Sequence, residues 1–409
     1  MLIASIIPFL ILGPFFPDLI VSVSALFFLY YTIKKNDFYY LNKRPFVIFL
    51  LFCITSVVSS LESDDIAFSI NSSFFYFRIG VFSCFIWYLI DKDKSILTYF
   101  YYLLILCFLI LTIDGYFQYF TGKNLVGFKL SFVRVSSFFG DELIMGSYLS
   151  RLFPLLFALF CIKKKKRFEI YFIGFLFILV DVLIYMSGER TAFFFLNLST
   201  IFIIILIKEY KIFRLFTFII AIICIFALSL NSSKLFERMI LSPAKDMGII
   251  NLKESTNSPS QMTIFTPMHD SHIRTAFNMF KDEPIIGHGP KIFRLKCSDP
   301  KFSYGLWPCS THPHNFYVQI LAETGVIGIL FLLSALCYIL YVSIRQFKSI
   351  IFKQKRYLTD YQVSLLAGLL ITIWPIAPSG NFFNNWLMII YCLPVGFYLQ
   401  SIYSNKKIK

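Results

Sequence analysis

The five histidines of this chain, His269, His272, His288, His312 and His314, all fall between residues 231 and 314 of 409. Random placement would scatter them, so their concentration marks a polar domain or a site. Imidazole ionises close to neutrality, which suits proton transfer. It also binds metals, and His269-x-x-His272 and His312-x-His314 could each offer a ligand pair among seven nearby carboxylates. No Cys/His spacing here matches a structural zinc site, and His-Glu-x-x-His is absent. Neither a metal nor a cofactor is expected. Two of the nine cysteines, Cys297 and Cys309, share the segment. An oxidising compartment would let them bond, although spacing alone does not bring their Cα atoms within reach.

Arginine is the second chemical signal. Arg78 and Arg151 lie within apolar stretches, Arg190 at a turn between two of them, and Arg134 and Arg274 in outer segments. A guanidinium stays charged and grips phosphate oxygens in pairs, and an ionisable group within a membrane span is a functional candidate by default. Snorkelling at the interface is the plainer role for each. For Arg151, an interhelical ion pair with Asp181 is a further structural role. Asp91-Lys92-Asp93 has the spacing of a metal-diphosphate motif, but it sits in a short turn with no attached domain and reads as solvated.

The elements that must position these groups are membrane spans. The chain is 57% hydrophobic, 19% aromatic and 15% charged, with 51 phenylalanines. Soluble domains carry about 25% charge, and disorder requires low hydrophobicity. The net charge of +15 is not clustered on a soluble surface, so no nucleic-acid partner is expected. Apolar stretches recur at 2–17, 18–33, 45–61, 74–90, 96–118, 141–162, 168–187, 191–207, 212–230, 315–344, 361–379 and 383–403. The expected fold is therefore an all-α integral membrane protein of about 12 transmembrane helices, with one large outer loop between helices 9 and 10. This divides the chain into 1–230, 231–314 and 315–409. Alternate connections hold 22 Lys/Arg against 4 in the others, which puts both termini in the cytoplasm and 231–314 outside. No removable signal peptide is expected. Within the outer loop, Asn231–Pro267 reads as irregular, and Ser271–Lys281 as a helix with Ile273, Phe277 and Phe280 on one face, suited to the membrane surface.

The stretch from Thr311 through His314-Asn315 to Gly325-Val326-Ile327-Gly328 resembles the signature of the bacterial O-antigen ligase and O-antigen polymerase superfamily, in which His-Asn is followed by nine residues and Gly-x-x-Gly. Ile273-Arg274-Thr275-Ala276 with the turn Pro284-Ile285-Ile286-Gly287-His288-Gly289 is similar to its outer helix and Pro-x-x-Gly-x-Gly turn. Ser187-Gly188-Glu189-Arg190-Thr191 resembles its Ser/Thr-Gly-x-Arg turn. Phe138-Phe139-Gly140-Asp141-Glu142 with Gly146-Ser147-Tyr148-Leu149 is similar to a fourth stretch, with Glu142 in a region where many members carry Asn. The resemblance covers roughly 130–345.

It implies a membrane glycosyltransferase taking its glycan from undecaprenyl diphosphate, without nucleotide sugar, metal or cofactor. His314 would be the general base, with Arg190 and Arg274 on the leaving diphosphate. Arg78, Arg134 and Arg151 match no family motif and are expected as further diphosphate contacts on the charge argument alone. The site would face the periplasm of the bacterial inner membrane. The acceptor would be the lipid A core for a ligase or a new repeat unit for a polymerase. From a different class, a flippase for lipid-linked oligosaccharide would also suit twelve spans. Against it, no repeat relates the two halves of the chain. Gly325 and Gly328 are expected to let a neighbouring helix approach closely.

Overall fold

The computed structural model describes residues 2–162, 165–247, 249 and 265–404, and among these the chain is helical without a strand. The segment 250–264 of the outer loop and the last residues of the tail lie outside the described part. The first half runs α1 (Ile6–Leu12), α2 (Phe15–Lys35), α3 (Arg44–Leu61), α4 (Ile66–Ser73), α5 (Phe77–Lys92), α6 (Ser95–Thr121) and α7 (Met145–Phe160). It continues through α8 (Arg167–Met186), α9 (Arg190–Leu206), α10 (Lys211–Asn231), α11 (Ser233–Phe236) and α12 (Ser242–Asp246). The remainder is α13 (Pro267–Asp282), α14 (Phe293–Lys296), α15 (Phe316–Ile351), α16 (Asp360–Thr372) and α17 (Asn385–Tyr403).

Each of the twelve apolar stretches contains helix, but among the described residues eight helical segments are long and apolar enough to cross a membrane. The rest fall short. At 1.5 Å per residue, α7 and α9 reach only about 25 Å, below a hydrocarbon core of ~30 Å. α7 is nevertheless almost wholly buried, Arg151 included. Protein rather than lipid surrounds it, so its length does not have to match the bilayer. Many residues of α2, α3 and α10 remain exposed on their apolar faces, as membrane-facing helices require.

Three expectations change here. Asn231–Pro267 is helical as far as Asp246, because Leu235 and Met239 are drawn into the main core. Asp181 does not serve Arg151. Gly174 lets α10 lie close against α8, with Phe213 at the contact. Arg214 thereby reaches both Asp181 oxygens at 2.8 and 3.2 Å, and Thr200 Oγ1 at 2.7 Å. Arg151 is instead held between the rings of Phe195 and Tyr391, at 4.8 and 4.3 Å. Asp91, expected in a solvated turn, accepts bonds from Tyr40, Trp87 and Gln400 and ties α5 to α17.

The 36-residue α15 is broken at Gly325, whose φ of 63° and ψ of −165° lie outside the helical region. The break strands backbone amides that a continuous helix would pair. The Pro284–Gly289 turn supplies their partners. Val326 N donates to Pro284 O at 2.9 Å, while His288 N and Gly289 N donate to Ala322 O and Glu323 O. Gly325 and Gly287 are thus needed for a close approach, but to this turn rather than to a helix. A Cβ on Gly287 would lie 2.5 Å from the Glu323 carbonyl carbon. At Gly328 the nearest atoms to an added Cβ belong to Thr324 of the same helix.

Candidate functional site

Two elements carry four of the histidines to one place. Pro267 stands in the first turn of α13, where a missing N–H costs nothing. His269 and His272, three residues apart, then share a face of the helix. The buried side of α13 is Ser271, His272, Thr275, Ala276 and Met279, with Phe277 exposed and Ile273 and Phe280 half-buried. Ser271 donates to Tyr304 O, Tyr304 N donates to Thr275 Oγ1 at 3.1 Å, and Asn278 donates to Phe302 O at 3.1 Å. These bonds fix the following loop along α13. Ala276, Met279, Phe293, Cys297, Phe302 and Ala322 form a small core that seats both on the outer part of α15.

The second element is the loop 310–315. Asn315 caps α15, accepting from Tyr317 N and Val318 N, and donates through Nδ2 to Pro375 O at 2.9 Å. Ser379 N donates to His314 O at 2.8 Å, and His312 Nε2 pairs with Ser379 O at 3.2 Å. His314 itself has φ 56°, a left-handed backbone uncommon for a residue with a Cβ. Such a conformation persists only where the surroundings enforce it, and it recurs at functional sites.

As a result the His314 ring centre lies 4.2 Å from His312, 5.1 Å from His269 and 5.3 Å from His272. His288 does not join them. It is buried elsewhere, with Nε2 on Met279 O at 2.9 Å and Nδ1 beside Lys296 Nζ at 3.1 Å. Burial pushes the His314 pKa down to about 3, helped by the neighbouring imidazoles His312, His269 and His272. His312 is lowered to about 4, chiefly by burial, and His269 and His272 are lowered for the same reason. His314 is therefore neutral at physiological pH. Its Nε2 lies 3.1 Å from Ser310 Oγ. Among the described residues, no group of three or more His, Cys, Asp or Glu side chains is placed to hold a metal ion.

The guanidinium groups gather at a separate turn, Ser187–Arg190. Glu189 accepts from Gly146 N, Ser147 N and Ser147 Oγ at 2.6 to 2.9 Å, which joins this turn to the start of α7. Arg134 donates to Ser187 O and Leu143 O, Arg238 to Gly188 O, and Arg190 to Arg238 O. Burial lowers the pKa values of Arg134 and Arg238, and each is lowered further by Arg190. Arg190 also lowers His269, so its charge is felt within the imidazole cluster. Its only carboxylate partner among the described residues is Asp246, at 3.8 Å.

The other expected arginines are dispersed. Arg274 is exposed on α13, bonded to Asp270 at 2.8 Å and lying over the Tyr304 ring. Arg78 pairs with Asp18. Arg151 lies in the helical core. Sequence reading missed Arg238 and Glu189, as well as the Gln319–Glu323–Asn381 network. There Gln319 donates to Glu323 and Asn381, both at 3.0 Å, while Ser59 donates to Glu323 O at 2.6 Å. A buried glutamate in an otherwise apolar helix was the available signal for the network. Arg238 had none, because its segment lacks a recognisable pattern.

The structure joins Cys297 to Cys309 by a disulfide, with Cα atoms 5.0 Å apart. It tethers the loop carrying Ser310 to His314 to the end of α14. Closing a loop of this length contributes about 3 kcal/mol. The Cys297→Ser/Cys309→Ser variant is accordingly expected to melt several degrees lower by tryptophan fluorescence, and the oxidised protein to become its equal on reduction.

Taken together, the fold and site define a multi-pass helical membrane protein whose imidazole cluster and arginine turn sit on segments that connect its long apolar helices. Residues 172–333 match the family model described as O-antigen ligase, and over that segment the chain is similar to the O-antigen ligase and polymerase superfamily, a family of membrane glycosyltransferase type. The match includes Arg190, Arg274, His314, Asn315, Gly325 and Gly328, and leaves out Arg78, Arg134 and Arg151. No curated protein matches the chain.

Proposed function

We propose that this protein moves a polysaccharide from undecaprenyl diphosphate to an acceptor hydroxyl of the lipid A core. It would work at the periplasmic face of the inner membrane, as an O-antigen ligase with both termini cytoplasmic. The observation that carries the reading is a neutral His314, held on a strained backbone, in a cluster that feels the charge of Arg190.

In the reaction, the acceptor hydroxyl gives its proton to the free electron pair of the His314 imidazole. Its oxygen forms a bond to the anomeric carbon as the bond from that carbon to the diphosphate oxygen breaks. A single displacement inverts the configuration. The electrons of the broken bond leave as charge on the diphosphate. Arg190 takes that charge, with Arg134 and Arg238 behind it and Arg274 at the exposed side. The chemistry proposed for these residues is metal-independent.

Two measurements test this. With purified, EDTA-treated protein and an undecaprenyl-diphosphate-linked glycan, Arg190→Ala is expected to lower kcat by about 10²–10³-fold, with little recovery in Arg190→Lys because the forked geometry is lost. Unchanged transfer by Arg190→Ala, or activity restored only by a divalent ion, would overturn the mechanism. A gel of the lipopolysaccharide from a deletion strain separates the acceptors. Loss of every O-chain with accumulated lipid-linked polymer means a ligase, whereas a core bearing one repeat unit means a polymerase.

A further inference from the structure

A cavity of about 990 Å³ lies well away from the histidines, none of which lines it. It opens where α6 begins, α7 ends and α15, α16 and α17 converge, together with the α9–α10 and α15–α16 connections. Tyr338, in its wall, lies 24 residues beyond His314, about 36 Å along a helix rising 1.5 Å per residue. This is the lysine-rich end of the bundle.

Its mouth is fastened by one ion pair. Arg356 donates to Asp360 at 3.3 Å and to the carbonyls of Leu206 and Ile207, and Asp360 accepts from the amides of Lys208 and Glu209. Those two charges are spent on the frame. Of the remaining cations at the rim, Lys208 and Lys355 are exposed and make no ion pair among the described residues. Lys94 reaches Asp91 only at 3.9 Å. Among the described lining residues, Glu209 is the carboxylate left to oppose the three lysines.

Farther in, the wall turns aromatic and apolar. Tyr338 and Tyr398 face each other at 3.3 Å between hydroxyls, and the buried hydroxyl of Tyr361 has no hydrogen-bond partner. A buried polar group left unpaired calls for an explanation, an absent ligand among them. The volume lies at the upper end of ordinary ligand sites, too large for a lone ion. Leu97, Val342 and Ile402 supply apolar wall beside the tyrosines. Basic pockets between transmembrane helices are suited to anionic lipid headgroups.

We infer that this cavity binds an anionic phospholipid, with its phosphate among Lys94, Lys208 and Lys355 and its chains along the apolar wall. The tyrosine hydroxyls meet the glycerol and ester oxygens. The site is distinct from the proposed transfer centre and does not rest on that reading.

The test titrates the purified full chain in neutral detergent with phosphatidylglycerol, phosphatidylcholine or inorganic phosphate, and counts bound molecules by native mass spectrometry. Phosphatidylglycerol is expected to be retained at concentrations where phosphatidylcholine is not. Lys208→Ala/Lys355→Ala, at exposed positions that leave the fold intact, is expected to weaken that retention about 30-fold, the worth of two cations toward an anionic headgroup. Tyr361→Phe should weaken it by a smaller factor. Lys34→Ala/Lys35→Ala, which removes two cations at the end of α2 outside the cavity, should leave it unchanged. Equal retention of phosphatidylcholine would overturn the inference. So would an unaffected Lys208/Lys355 variant, or an equal loss in the Lys34/Lys35 variant. Displacement of the lipid by inorganic phosphate at comparable concentration would assign the cavity to a free anion and overturn the lipid.

Discussion

Replacing His314 with alanine is expected to lower glycan transfer by roughly 10²–10⁴-fold, the worth of a positioned general base, while the melting midpoint moves little. Among the described residues the side chain bonds only to Ser310 Oγ, whereas its backbone carbonyl, which holds Ser379, survives the substitution. His312→Ala serves as the comparison, because that ring reaches Ser379 O and Thr311 rather than standing at the centre of the cluster. Transfer undiminished in His314→Ala would remove the base.

The pH profile adds a second reading of the same group. With its pKa near 3 in the free protein, His314 stays in its basic form down to low pH. The acid limb of kcat/KM, which reports free enzyme, should therefore not appear near the ordinary imidazole value of about 6.5. A bound diphosphate brings negative charge that favours the imidazolium, so the limb in kcat should lie at higher pH than the limb in kcat/KM. Stability moves with pH through the same groups. The unfolded chain binds protons that the buried imidazoles refuse, so stability declines as pH falls from about 6.5 toward the lowered values.

Gly325→Ala is the substitution expected to damage the fold most. Its Cβ would lie 2.1 Å from Ile285 O and 2.3 Å from Ile285 C, and both are backbone atoms with no rotamer to yield. The φ and ψ of Gly325 also belong to a region essentially closed to other residues. Strain and overlap together should cost about 3 kcal/mol or more, read as a large drop in melting midpoint and loss of a monodisperse peak in detergent. Gly122→Ala gives the milder comparison, a left-handed glycine free of overlap. Gly122 has φ 80° but nothing within 4 Å of an added Cβ, so about 1 kcal/mol is expected there. Equal losses in the two variants would mean that the turn does not need Gly325.

How much of this was legible in the sequence depends on the range of the interaction. The apolar stretches are local patterns, and helices occupy them. Which of them are long enough to span was less visible, since α7 is apolar for the sake of protein neighbours. The gathering of His269, His272, His312 and His314 could be suspected from their nearness in the chain, yet His288 is equally near and lies elsewhere. Pairings between distant helices were beyond reach. Asp181 and Arg151 have compatible charges in neighbouring stretches, and only the packing of α8 on α10 shows that Arg214 takes the carboxylate. Likewise, Glu189 unites two motif stretches through bonds to Gly146 and Ser147 that neither motif reveals alone.

The break in α15 redraws the boundary of the outer region. Chain order would cut at His314, yet Ala322 shares a small core with α13 and α14, and the Pro284–Gly289 turn is bonded into the helix on both sides of Gly325. The outer turns of α15 therefore belong mechanically to the loop, and the remainder of that helix to the bundle. A transplant of the loop between relatives would have to carry 284–289 and 316–327 as one cassette. A junction placed at 314 would sever a splice that hydrogen bonds hold from both sides.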